Sequence, residues 1–283
     1  MHVKTIDYQT PQASHEFVNS LQETGFAVFA NHPISPDLIK NVYQDWESFF
    51  KSEAKFESLF DDQSIEQSGY FPFKSEQAKG YSTKDLKEFY HFKGGHAMPQ
   101  GMGERTPQLF EALLTLGAEI LGWIEAGLPD EIARALSEPL AHMIQGSDMH
   151  VLRILHYPPL VDENSEGAVR ASPHEDINLM TILPAATRPG LEVQDKQGKW
   201  HEVSCDQGML VFNAGDMLER ATQGFYKSTT HRVVNPVGDA RLYPRYSLPL
   251  FVHPRREVQI SEGCTAESYL AERLRELGLL PAA

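Results

Sequence analysis

The sequence predicts an α+β protein with a mainly β core, in which a helical first half is set against a sandwich or jelly roll of short strands. Three observations lead there. The 283 residues are 41% hydrophobic and 23% charged, enough apolar material to fill a substantial core. Up to about residue 147, apolar side chains recur mostly at helical spacing. From residue 148 onward, apolar runs of four to eight residues rich in Val, Leu, Ile and Tyr alternate with Pro, Gly, Asn and Asp, which is the texture of short strands joined by turns.

The elements follow in order. Ser14 to Glu23 carries Phe17 and Leu21 one helical turn apart and stops before Gly25, giving a short helix. Phe26 to Ala30 is a compact apolar strand closed by Asn31-His32-Pro33. Ser35 as N-cap and Pro36 at the first helical position open the clearest helix, whose face comprises Leu38, Ile39, Val42, Tyr43, Trp46, Phe49 and Phe50. Residues 69–80 and 94–103 read as loops, the latter with four glycines and a proline. Helices are expected over Thr106–Trp123, where Leu109, Leu113, Leu116 and Ile120 share a face, and over Asp130–Met143. Strands are expected at Val151–Tyr157, Leu179–Leu183, Leu191–Gln194, Met209–Asn213, His231–Val234 and Tyr246–Val252, and a terminal helix over Thr265–Leu277. This divides the chain into a helical region, 1–147, and a barrel region, 148–283, expected to form one compact unit.

Charge and cysteine usage narrow the function. Twenty-five Lys and Arg against thirty-nine Asp and Glu give a formal net charge of −14, so nucleic acid and anionic membrane surfaces are disfavoured as partners. No stretch approaches the ~20 apolar residues of a membrane helix, and Met1 to Asp7 lacks the apolar segment of a signal peptide. Cys205 and Cys264 are too few for a disulfide framework, neither lies in a reactive motif, and a reducing cytoplasm is the expected compartment.

Chemistry concentrates in the strand-rich half. His174-Glu175-Asp176 is a His-x-acid tripeptide, of which this composition yields about 1.7 by chance, so alone it means little. On a strand, however, His174 and Asp176 would share a face and could bind one metal, while Glu175 would point away. His231, 55 residues beyond Asp176, is the candidate third ligand. Two histidines and one carboxylate leave open positions on an ion, as in non-haem Fe(II) oxygenases. Arg245-Tyr246-Ser247 places a guanidinium and a hydroxyl on one strand face, suited to a carboxylate. Taken singly, each of these residues is more often an ordinary polar side chain than a ligand.

Together they carry a resemblance. The chain resembles the isopenicillin N synthase-like branch of the 2-oxoglutarate/Fe(II)-dependent oxygenases over most of its length, in the stretches 25–32, 152–159, 174–183, 190–193, 213–219, 228–233 and 245–249. The resemblance implies a double-stranded β-helix, that is, a jelly roll of two sheets with a helical buttress. It implies Fe(II) at His174, Asp176 and His231, the far carboxylate of 2-oxoglutarate at Arg245 and Ser247, and Tyr157 near cosubstrate or substrate. Dioxygen, and ascorbate as a candidate reductant, belong to the same implied chemistry. The chain departs from many relatives at Pro33, where they have Gly, at Leu155, where they have Asn, and in about four extra residues near Gly238-Asp239.

The activity so implied is oxidation of a small molecule by hydroxylation, desaturation or ring closure. Three alternatives stay open: a 2-oxoglutarate-independent Fe(II) oxidase of the same fold, a silent ligand-binding jelly roll, and a zinc hydrolase, which would have no use for Arg-x-Ser. Substrate residues are sought in two aromatic-rich segments expected to cover the barrel mouth, 68–73 and 85–92, with Tyr70 or Phe71 lining the pocket. Arg153 is a candidate for a substrate carboxylate, although pairing with a nearby acid is the blander reading. His150 and His156, flanking the strand of Tyr157, could face the mouth. The oligomeric state is not legible.

Overall fold

The structure, a computed structural model, describes residues 1–60, 68–76, 83–160 and 168–276. The helical layer begins with α1 (Ala13–Thr24), which ends where Gly25 takes a left-handed φ of 74° and its N–H returns to the Leu21 carbonyl. After β2 (Phe26–Ala30; β1 is Thr5–Asp7), α2 spans Pro36–Lys51. Ser35 caps it by accepting from Leu38 N at 3.3 Å, a bond that typically contributes about 1 kcal/mol. Its buried face is Ile39, Val42, Tyr43, Trp46, Phe49 and Phe50, each contributing about 1.5–3 kcal/mol by leaving water. Trp46 donates to Thr106 Oγ1 at 2.9 Å, which ties α2 to α3 (Arg105–Ala126). The expected helix over Asp130–Met143 is instead two, α4 (Asp130–Ala135) and α5 (Leu140–Met143). Pro139 supplies no N–H and disfavours helical backbone just before it, and Leu136 and Pro139, at ψ of 139° and 136°, both lie outside the helical region.

Among the described residues the strands form two principal sheets. The large one runs β1-β2-β10-β7-β13-β5-β4-β3, with β12 also on β5. Its further members are β3 (Gly69–Phe71), β4 (Glu88–Phe92), β5 (Val151–Tyr157), β7 (Met180–Pro184), β10 (Leu210–Ala214), β12 (Arg245–Ser247) and β13 (Leu250–Val252). The small sheet runs β6-β11-β8-β9, made of β6 (Ala171–His174), β8 (Leu191–Gln194), β9 (Trp200–Glu202) and β11 (His231–Val233). Helices cover the outer face of the large sheet, α3 lying over β13, and its inner face opposes the small sheet to give the double-stranded β-helix expected. A short hairpin, β14 (Gln259–Ser261) with β15 (Cys264–Thr265), leads into α6 (Ala266–Glu276). No described helix is long and apolar enough to cross a membrane.

Several expectations are corrected. Gly69–Phe71 and Glu88–Phe92 are strands, not irregular cover, and extend the large sheet beyond β5. Positions 77–80 of the expected loop, and Leu277 of the expected terminal helix, lie outside the described residues. The strand expected over Tyr246–Val252 is broken in two at Leu248-Pro249, since proline has no donor for the ladder. Strands β1, β2, β3 and β4 belong to the first 147 residues yet join the sheet of the second half, β2 on β10 and β4 on β5.

Candidate active site

The site lies between the two sheets. β11 places His231 directly opposite His174 at the end of β6, with the two imidazole centroids 4.4 Å apart. Asp176 lies two residues past His174, where β6 ends, and lines the cavity on the same side as that histidine, while the exposed Glu175 between them faces away. Asp176 Oδ2 accepts from Thr181 Oγ1 at 2.5 Å and from Asn213 Nδ2 at 2.9 Å. Oδ1 remains, 3.8 Å from Nε2 of each histidine, and one ligand atom from each of the three residues lies within 4.8 Å of the others.

The histidine tautomers are fixed from behind. His174 Nδ1 donates to the Ser172 carbonyl at 2.7 Å and His231 Nδ1 to the Thr229 carbonyl at 3.1 Å, so both Nε2 lone pairs face Asp176. Removal from water, then the neighbouring His231, pushes His174 down to about 4. Burial alone would raise Asp176, but the two imidazoles and the hydrogen bonds from Thr181 and Asn213 outweigh it and hold the carboxyl below its ordinary value. Two imidazoles presenting Nε2 and one carboxylate are the donor set of a non-haem Fe(II) centre, so the residues fit that ion. Glu175 points elsewhere, accepting from Thr230 at 2.8 Å.

Two glycines make this geometry possible. A Cβ at Gly25 would collide with Thr229 Oγ1, beside the carbonyl that orients His231. A Cβ at Gly215 would collide with the Asn178 carbonyl; Asn178 donates to Thr181, which in turn holds Asp176.

At the other end of the cavity β12 pairs with β5, Arg245 opposite Tyr157 and Ser247 opposite Leu155. All four line the cavity together with the metal triad. Arg245 is 2% exposed; its Nε donates to the Arg188 carbonyl at 2.9 Å, while Nη1 is buried without a hydrogen-bond partner among the described residues. A buried guanidinium N–H with no acceptor is costly, and a ligand carboxylate would satisfy it.

Strand alternation sorts the remaining candidates. Arg153, Leu155 and Tyr157 face the cavity; Arg153 also pairs with Glu76 at 3.2 Å, as the blander reading of it expects. His156 points to the helical side, 2.6 Å from Glu88 and stacked on Tyr246 at 4.7 Å, and buried His150 contacts the Ile144 carbonyl at 3.2 Å; neither lines the mouth. Tyr70 likewise faces the helices, against Phe49 and Phe50 with its hydroxyl on Glu88, so it lines no pocket. Phe71 is on the inner side, stacked on Phe89 at 4.5 Å, and stops short of the lining. Cys205 and Cys264 are unpaired and half-buried.

Sequence reasoning missed Thr181 and Asn213, which aim Asp176, and Lys87, which lines the cavity. It also missed buried Asp85, which accepts from Ser172 N at 3.1 Å and Ser172 Oγ at 2.8 Å. Polar residues within otherwise apolar strands, as in Leu-Met-Thr-Ile and Val-Phe-Asn-Ala, were the available signal for the first two.

The chain is similar to known proteins along most of its length. Residues 149–254 match the 2OG-Fe(II) oxygenase superfamily, and residues 3–110 match the family described as non-haem dioxygenase in morphine synthesis N-terminal. The 2-oxoglutarate-dependent dioxygenase citB of Monascus ruber is 30% identical over 261 residues, covering 81% of this chain and 74% of its own. A solved Shewanella oneidensis chain assigned as an oxygenase superposes with a TM-score of 0.89 at 46% identity, over 99% of this chain and 100% of that one. A full-length Neurospora crassa protein, solved in complex with alpha-KG (2-oxoglutarate), superposes with a TM-score of 0.81 at 25% identity over 96% of each chain. The chain belongs to the 2OG-Fe(II) oxygenase superfamily. It is an oxidoreductase that uses Fe(II), 2-oxoglutarate and dioxygen.

Proposed function

We propose that this protein couples decarboxylation of 2-oxoglutarate to oxidation of a small molecule, with iron held by His174, Asp176 and His231 and the distal carboxylate of 2-oxoglutarate held by Arg245 and Ser247. The observation that carries the reading is the unpartnered, buried Nη1 of Arg245 in the same cavity as three converging metal-ligand atoms. When bound, Fe(II), 2-oxoglutarate and dioxygen supply the oxidising chemistry, with succinate and carbon dioxide as co-products.

The chain's own residues prepare that chemistry. The carbonyls of Ser172 and Thr229 keep the two Nδ1 protons away from the cavity. Thr181 and Asn213 occupy one oxygen of Asp176 and leave the other free. Phe26, Leu183, Leu191 and Val233 line the cavity near the triad and exclude water, which strengthens every charged contact inside. Tyr157 sits 5.3 Å under the Arg245 guanidinium and keeps its plane fixed toward the cavity.

A small substrate is supported by the relatives: the same Neurospora crassa protein has also been solved with 5-formyluracil, and a 26% identical protein from Petromyces alliaceus is named a proline hydroxylase. The test is to load metal-free protein with Fe(II) anaerobically, add 2-oxoglutarate and a metabolite extract, admit air, and follow succinate and mass changes in the extract. Succinate formed with stoichiometric gain of one oxygen or loss of two hydrogens in a small metabolite is expected. Metabolite oxidation with no 2-oxoglutarate consumed would overturn it.

A further inference from the structure

Four lining residues of the cavity carry formal charge, Lys87, Arg153, Arg245 and Asp176, so three of the four are cations in a chain of net charge −14. Asp176 faces the metal site and Arg245 the cosubstrate, which leaves Lys87 and Arg153 unassigned. Arg153 and Tyr157 share the inner face of β5 four residues apart, about 13 Å along the strand. Arg153 therefore lies at the end of the cavity away from Arg245.

The environment of Arg153 leaves one edge open. Its guanidinium is flanked by the rings of Phe89 at 4.6 Å and Phe251 at 5.3 Å. Nε contacts His91 Nε2 at 2.8 Å and Nη1 contacts Glu76 Oε2 at 3.2 Å, while Nη2 has no partner among the described residues. Lys87 is fixed by the same Glu76 oxygen at 2.7 Å and by Asp85 at 2.9 Å, two contacts for three ammonium protons. Neither acid lines the cavity: Asp85 spends its other oxygen on Ser172, and Glu76 bridges the two cations. Burial opposes charge on both Lys87 and Glu76, yet Arg153 and then Lys87 hold Glu76 below its ordinary value, and Glu76 and then Asp85 hold Lys87 above its own, so both stay ionised. The acids hold the cations in place, and the cations' remaining donors are what the cavity meets.

We propose that the substrate is a small organic acid whose carboxylate is bound at the edge of Arg153, assisted by Lys87, with its apolar body over Phe251 and Leu155. This rests on the reading of Arg245 and the metal triad as the cosubstrate and iron sites, and it names the substrate class for that same cavity. Planar donors on a guanidinium edge match a carboxylate in two contacts, whereas an ester or amide of the same skeleton offers no charge.

The test uses phenylacetate, 3-phenylpropionate and octanoate, each beside its methyl ester and primary amide. Binding is read anaerobically on the Fe(II)- and 2-oxoglutarate-loaded protein from the visible absorbance of that complex, and by calorimetry on metal-free protein. At least one acid should bind about tenfold or more tightly than its ester and amide, the scale of one charge-assisted contact. Arg153→Gln should bring that acid-to-ester ratio close to one, and Arg153→Lys, which keeps the charge and loses the planar edge, should give an intermediate ratio; thermal melting verifies that each variant folds. Equal binding of acids and esters, no binding by any acid, or an unchanged ratio in both variants would overturn the proposal. Should the parent fail to bind 2-oxoglutarate, the cosubstrate reading falls, while calorimetry on the metal-free protein still decides the acid preference.

Discussion

The two faces of β5 and its neighbours each bury a polar cluster, and the clusters end differently. On the helical side Glu88 has both oxygens engaged, by His156 at 2.6 Å and by Tyr70 and Lys55, the latter at 3.0 Å. Apart from the Tyr246 hydroxyl, which lacks a partner among the described residues, that cluster is closed upon itself. On the cavity side Arg245 Nη1, Arg153 Nη2 and Asp176 Oδ1 are left over after the internal bonds of the described residues are counted. A closed buried cluster serves the fold, since removing a member leaves an uncompensated charge; an open one is completed from outside.

The sharpest break of that contrast is Asp176→Ala. It should abolish stoichiometric Fe(II) binding and turnover with little change in melting temperature, checked by metal analysis and calorimetry. Glu88→Gln tests the closed side and should do the reverse. Leaving Lys55 and His156 partly unpaired should cost about 3 kcal/mol of stability, measured by denaturant unfolding, while Fe(II) and 2-oxoglutarate affinities hold. The same residue sets an acid limb. Burial acts to raise Glu88, but hydrogen bonds from His156, Tyr70 and Lys55 win and hold it below its ordinary 4.5. Its contribution is therefore present above that value and lost as pH falls through the lower folded value, so Glu88→Gln should flatten stability against pH on the acid side.

Asp85→Ala probes a link between the faces of β6. It removes the acceptor that holds Ser172, whose carbonyl orients His174, and Fe(II) affinity should fall about 10- to 100-fold with the ligands themselves intact. An unchanged metal affinity would make Asp85 a fold residue only. The smallest effect is expected from Arg245→Lys, which retains the charge and loses the fork: 2-oxoglutarate affinity should weaken about tenfold by anaerobic titration, with iron content unaffected.

Legibility followed how far a residue's role depended on its immediate neighbours. Strands β2 and β5 and helix α2 could be read at their true bounds or nearly so, because apolar periodicity, a serine cap and flanking prolines are local signals. β6 was not, since Ala171-Ser-Pro-His is four residues long with an internal proline, and its place in the sheet is set by β11. β4 escaped because Glu88 and His91 are buried within it, paired to partners from distant segments. The ligand residues could be listed from their pattern, and His174 and Asp176 share one side of the chain as that pattern expects. What the pattern did not show is that Asp176 lies beyond the end of β6 and is held by hydrogen bonds from Thr181 and Asn213. Tyr70 was assigned the wrong side for a related reason: with β3 unseen, nothing in the sequence showed that Tyr70 and Phe71 alternate across a sheet.

The pairing of β2 with β10 also bears on how the chain is made. Phe26-Ala27-Val28-Phe29 is buried on both faces, Phe26 and Val28 toward the small sheet and Ala27 and Phe29 toward the helices, and its antiparallel neighbour is the segment Leu210–Ala214. A ribosome delivers the first segment long before the second, so this apolar edge waits unpaired through most of synthesis. Pairing between such distant segments slows folding. Refolding from denaturant will for the same reason compete with association between chains, and yields will fall as protein concentration rises.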